Sequence, residues 1–115
     1  MSGLMADAVR CGELLFLSGR ADIDPTTGRI RGADFRGQAQ RILEDIVTVL
    51  TEAGSGPEHI VRVECWLKHA GDFDAWNELW TSVFSPPRPA RTTVVADFAV
   101  EGLLIEVQVT AGIPA

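Results

Sequence analysis

Hydrophobic positions change period several times along this chain, and each change marks an element. Residues 12–19, GELLFLSG, form a short apolar run between glycines, which predicts a strand. Residues 5–10 before it are placed to pair with it as a hairpin turning at Cys11-Gly12-Glu13. DPTTGRIRGA, 24–33, has the Pro, Thr and Gly of a turn-rich loop. Ala39, Ile42, Leu43, Ile46, Val49, Leu50 and Ala53 then recur at helical spacing, predicting a helix capped by Asp34 and stopped by Gly54. Strict alternation returns in 59–68: Val61, Val63, Cys65 and Leu67 point one way, Arg62, Glu64, Trp66 and Lys68 the other. Asp72 caps a second predicted helix, 73 to about 84, with Phe73, Trp76, Leu79, Trp80 and Val83 on one stripe. Two more strands follow, 91–97 and 103–111; in the last, Ile105, Val107 and Val109 oppose Leu104, Glu106, Gln108 and Thr110.

The order β-α-β-α-β-β predicts an α+β layer in which two helices cover one face of a mixed sheet. No repeat, low-complexity tract or linker interrupts it, so residues 1–115 are expected to form a single domain. The face away from the helices then carries Trp66, Leu104 and Val95 among polar residues. An uncovered apolar sheet face of that kind predicts self-association, with the same patch used in every copy.

Composition narrows the function classes. The chain has 115 residues, a formal net charge of −6 and a pI near 4.7. Polyanion binding rests on Lys and Arg neutralising phosphates, so nucleic acid and anionic membranes are not expected partners. The apolar runs are too short to span a bilayer, and the N-terminal stretch lacks a basic region followed by an apolar one. Two cysteines, Cys11 and Cys65, make no disulfide framework and suit a cytoplasmic chain. His69 shares a strand face with Cys65 but lacks further ligands, no dinucleotide or phosphate-loop fingerprint occurs, and neither a metal nor a cofactor is expected.

Several segments taken together resemble the Rid family (YjgF/RidA), reactive enamine/imine deaminases also described as L-PSP endoribonuclease-like. The matching stretches are LLFLSG with DPTTG, QAQRILEDIVTVLTEAG, HIVRVECWLK, DFDAWNELW, PPRPARTTV and LLIEVQVTA, in family order over nearly the whole chain. The resemblance implies a chorismate-mutase-like fold assembled as a homotrimeric barrel, with clefts between subunits. It also implies that the last strand lies centrally, beside the first and second main strands. Strands 91–97 and 103–111, which could form a hairpin on pattern alone, are then not neighbours.

Site residues follow from the same motifs. Arg91, in PARTTV, matches the arginine that holds the substrate carboxylate, a task suited to a planar fork of donors that stays charged. An interface salt bridge is the structural alternative. Glu106, in LLIEVQV, matches the family glutamate and would orient a water and relay protons; its alternative is an ion pair with Arg20 or Arg62. Ser18 and Gly19 match a cleft serine and a glycine whose backbone approaches the ligand. Asn77 matches an asparagine on the second helix, with a structural hydrogen bond as its alternative. Thr93 is read as a small polar wall of the pocket on Arg91's strand face. Trp76, Trp80, Phe73 and Cys65 are read as packing residues.

Two departures from the pattern bear on substrate. The family tyrosine falls near Met5, and the chain has no tyrosine; Arg20 stands where the family usually has glutamine. Arg20 thus favours a more acidic substrate or pairs with Glu106. The function implied is cofactor-independent hydrolysis of small enamine/imine acids such as 2-aminoacrylate to 2-keto acids and ammonia, with Arg91 and Glu106 drawn from two subunits. The alternative is a non-catalytic carboxylate-binding or regulatory protein on the same scaffold; ribonuclease activity is disfavoured by the acidic charge.

Overall fold

A computed structural model describes residues 4–114. The first hairpin joins β1 (Ala8–Cys11) to β2 (Leu14–Leu17), with Cys11 paired to Leu14 across the turn. Gly12 takes φ of 62°, which a residue bearing Cβ rarely adopts. Helix α1 (Phe35–Glu52) begins where its cap predicts: an Asp34 carboxylate oxygen accepts from the Gly37 N–H at 2.8 Å. Its buried face runs from Phe35 to Leu50, while Ala53 forms the exposed cap and leaves that face.

Strand β3 (Ile60–Leu67) buries Val63, Cys65 and Leu67 as the alternation requires. Val61 does not join them. The register shifts between Ile60 and Arg62, so Ile60 takes the core position and Val61 is 49% exposed. Helix α2 (Phe73–Val83) starts from a 3₁₀ turn, Ala70–Asp72, and Asp72 makes no side-chain capping bond. Only Trp76 and Trp80 of its stripe are buried; Phe73 and Val83, at its two ends, remain in solvent.

The chain closes with β4 (Ala90–Val95) and β5 (Ile105–Gly112). Sheet order is β1-β2-β5-β3-β4, with β4 parallel to β3 and every other pair antiparallel. The resemblance therefore predicts the topology correctly. A parallel β3–β4 pair requires a crossover, which α2 supplies, and β5 is left to insert between β2 and β3. Ile105, Val107, Val109 and Ala111 of β5 are fully or almost fully buried against α1 and the rest of the core. Each such aliphatic side chain larger than alanine contributes about 1.5–3 kcal/mol.

The sheet face away from the helices carries Leu14, Phe16, Arg62, Glu64, Trp66, Val94 and Glu106, which the pairing register places on one side. Val95 is not among them. It pairs with Leu67 on the helix side and is exposed because β4 is an edge strand. Leu104 precedes β5 and packs against the core.

Two polar side chains are buried inside this frame. Gln38 of α1 donates from Nε2 to the Gly32 and Gly102 carbonyls, both at 3.0 Å, and accepts from the Leu104 N–H at 2.9 Å. The Asp22 carboxylate accepts from Arg31 Nε at 2.7 Å and from Arg41 Nε at 3.0 Å; Arg31 also reaches Asp45. Together they fasten the 21–33 loop and the entry to β5 onto one helix.

Candidate functional site

The sequence-selected residues gather in two groups. The first is built on β4 and α2. Arg91 projects toward the helices, since it pairs with the buried Val63, and its Nη2 donates to Asn77 Oδ1 at 2.7 Å. The guanidinium carbon lies 4.9 Å from the Trp80 ring centre and 5.7 Å from that of Phe73. Phe73, Asn77 and Trp80 fall at i, i+4 and i+7, so a single helical face supplies both platforms and the clamp. Each cation–π contact is worth about 0.5–2 kcal/mol. Among the described residues no carboxylate lies within ion-pair distance of Arg91.

Thr93 lies two residues on, on the same strand face. Thr93 is half-buried; its hydroxyl oxygen, like Trp76 Nε1, is buried and makes no hydrogen bond among the described residues of the single chain. Both groups adjoin Cys65. Burial pushes the Cys65 thiol up to about 11, against the smaller opposing effects of Thr93, Arg91 and Trp76. A thiol held neutral in this way is a packing group.

The second group lies where β2 parts from β5. Phe16 pairs with Thr110, and Arg20 re-joins the strand by exchanging backbone bonds with Val107 at 2.7 and 2.9 Å. The chain takes one residue more from Phe16 to Arg20 than β5 takes from Thr110 to Val107, a bulge that leaves Ser18 and Gly19 between the two pairings. Gly19 leaves room for the Glu106 carboxylate, since a Cβ at this position would displace that carboxylate from where it sits. Burial raises the Glu106 pKa above its ordinary value. Neither predicted cation answers it: Arg20 Nη1 binds Asp7 at 3.0 Å, and Arg62 approaches Glu64 at 3.6 Å. Among the described residues Glu106 has no hydrogen-bond or ionic partner. The Ser18 hydroxyl donates to the Ala6 carbonyl at 2.6 Å, leaving its oxygen lone pairs available as acceptors.

One chain does not bring the two groups together. β3 separates their strands, and Arg91 lies on the helix side while Glu106, paired with Trp66, lies on the open side. Sequence reasoning had placed Trp80 and Phe73 as packing only; their spacing around Asn77 was the available signal for a guanidinium platform. It also passed over a depression beside Glu106, lined by Trp66 and residues 96–99.

Residues 3–113 match the family model described as Endoribonuclease L-PSP. A RutC family protein of Pyrococcus abyssi is 34% identical over 95% of this chain and 86% of its own length. Among solved structures, a Rid family protein of unknown function from Yersinia pestis, YyfA, superposes with a TM-score of 0.90 at 28% identity, covering 98% of this chain and 90% of the other. RidA from an Antarctic Psychrobacter gives 0.89 at 28% identity over 98% and 91%.

Proposed function

From the premise that the chain belongs to the endoribonuclease L-PSP family, the Rid or YjgF proteins, we propose that it hydrolyses small enamine/imine acids to 2-keto acids and ammonia. The observation that carries this reading is the state of Arg91: a permanent cation braced by an amide oxygen and two aromatic faces, with its charge uncommitted to any described carboxylate. Such a guanidinium is pre-arranged for an external carboxylate. Glu106, lacking a counter-ion at a bulge with Gly19, has the environment of a proton-transfer group.

In the proposed reaction Arg91 grips the substrate carboxylate, with Ser18 and the Gly19 backbone beside it. Glu106 takes a proton from a water as the water oxygen bonds to the C=N carbon. Glu106 returns that proton to the nitrogen, giving a carbinolamine. The carbinol hydroxyl then gives up its proton, by way of Glu106, to the same nitrogen as the C=O forms and the C–N bond breaks, so that ammonia leaves and a keto group remains. Orientation and proton transfer suffice for so labile a substrate. The opposed faces of Arg91 and Glu106 require another copy of the chain to complete the site, and exposed Leu14, Phe16 and Val94 give the open face an apolar surface for contact between copies. We propose a homotrimer with sites between subunits. A stable monomer in sedimentation at micromolar concentration overturns that assembly; absence of keto acid or ammonia above the uncatalysed rate from freshly generated 2-iminopropanoate overturns the reaction.

The alternative, a carboxylate-binding regulatory protein, draws on Met5, 46% exposed in place of the family tyrosine. It predicts ligand-raised melting temperature without turnover. An RNA-directed activity, which the family description names, sits poorly with a net charge of −6 and predicts steeply salt-dependent RNA binding.

A further inference from the structure

Beside Glu106 the open face dips into a depression of about 320 Å³, bounded by Trp66, Ala96, Asp97, Phe98, Ala99 and Glu106. This is the lower end of the size range of small-molecule clefts. Its lining has a definite chemistry. Four members are aromatic or methyl-bearing, two are acidic, and none is basic. Asp97 is largely in solvent and bound to Lys68 Nζ at 2.6 Å, so its carboxylate is already answered. Arg20 had been expected either to favour acidic substrates or to neutralise Glu106; its guanidinium instead lies on Asp7.

We propose that this depression receives the substrate's side chain and selects uncharged apolar ones, branched or aromatic, against acidic ones. The inference rests on the imine-acid reading above. With Glu106 at the reacting carbon, the depression that this carboxylate itself borders is an adjoining recess for the remaining substituent of that carbon, and Trp66 and Phe98 line it. A second carboxylate there meets Glu106, which has no partner among the described residues, and the one described cation nearby, Lys68, is already held by Asp97. An apolar tail is withdrawn from water against an indole and a phenyl ring.

The stable 2-keto acid products are the probes, measured by calorimetry on the assembled protein. The set is pyruvate, 4-methyl-2-oxopentanoate, phenylpyruvate and 2-oxoglutarate. The branched and aromatic acids are expected to bind at least about tenfold tighter than 2-oxoglutarate, and tighter than pyruvate. Phe98→Ala, in a loop outside the sheet, should weaken those two about tenfold and pyruvate less than about twofold. Ala99→Lys, at an exposed lining position, should raise the affinity of 2-oxoglutarate. Equal or tighter binding of 2-oxoglutarate by the wild type overturns the proposal, as does a uniform loss across all four acids in Phe98→Ala. If none of the four binds while 2-iminopropanoate is still deaminated, the side-chain site falls and the reaction stands. If neither binding nor turnover is seen, both fall.

Discussion

Replacing Gln38 with leucine tests how the Glu106 end of the site is held. The side chain is 1% exposed and makes bonds of 3.0, 3.0 and 2.9 Å to Gly32, Gly102 and Leu104. Leucine fills nearly the same volume, so the cost is in hydrogen bonding and not in a cavity. Gly102 is exposed and its carbonyl regains water, whereas Gly32 is buried and Leu104 half-buried. An unsatisfied buried group costs about 1–3 kcal/mol, so two such groups and the partial loss of a third come to about 3–5 kcal/mol. For a chain of this size that lowers the melting temperature by about 12–25 °C. Urea melts at one protein concentration, with unchanged slope, measure the difference. Gln38→Glu is the companion: an ionised carboxylate still accepts from Leu104 but donates to neither carbonyl. It should therefore be destabilised at neutral pH and recover partly as acid restores one O–H donor. A Gln38→Leu loss below about 1 kcal/mol refutes the reasoning, because those buried groups would then have found other partners.

Other outcomes follow from the two residue groups. Arg91→Ala should lower kcat/KM for 2-iminopropanoate by about 10²–10³, the worth of two charge-assisted hydrogen bonds, and Arg91→Lys by about tenfold, since the charge stays and the fork is lost; unchanged kinetics in Arg91→Ala removes the arginine from the mechanism. Burial raises the Glu106 pKa above its ordinary value in the free protein, so the acid limb of the kcat/KM–pH profile should lie above the ordinary glutamate range and vanish in Glu106→Gln. Because its folded-state pKa is raised, ionising Glu106 costs stability as pH climbs through that value. Glu106→Gln should thus melt higher than wild type at pH 7, with the advantage closing in acid; the opposite order contradicts the burial argument. Asp22→Asn leaves Arg31 and Arg41 without their shared carboxylate and should cost about 2–3 kcal/mol in urea melts, less than a fully buried pair, because both arginines reach solvent. At pH 8 one thiol per native chain, Cys11, should react rapidly with a disulfide reagent, and two after unfolding, since Cys65 is buried with its thiol near 11.

Much of the site was legible because its residues sit in motifs whose order along the chain is itself informative. Asn77 could be placed on the second helix from spacing alone, and its approach to Arg91 is what the geometry adds. Arg20 was legible as a departure but not in its pairing, since Asp7 lies thirteen residues away across a hairpin. Gln38 and Asp22 went unnoticed for a related reason. A polar residue flanking an apolar helical stripe reads as surface until its partners are known, and those of Gln38 lie as far as sixty-six residues along the chain.

The amino-acid order by itself determined both helices, the strand alternation and the hairpin, because caps, turn residues and side-chain periods act over a few neighbouring positions. Tertiary structure decided which strands pair, which face Arg91 and Val95 occupy, where β3 bulges at Val61, and which buried polar groups find each other. Those outcomes depend on free energies of contact between segments remote in sequence, and periodicity within one segment carries no record of its partner.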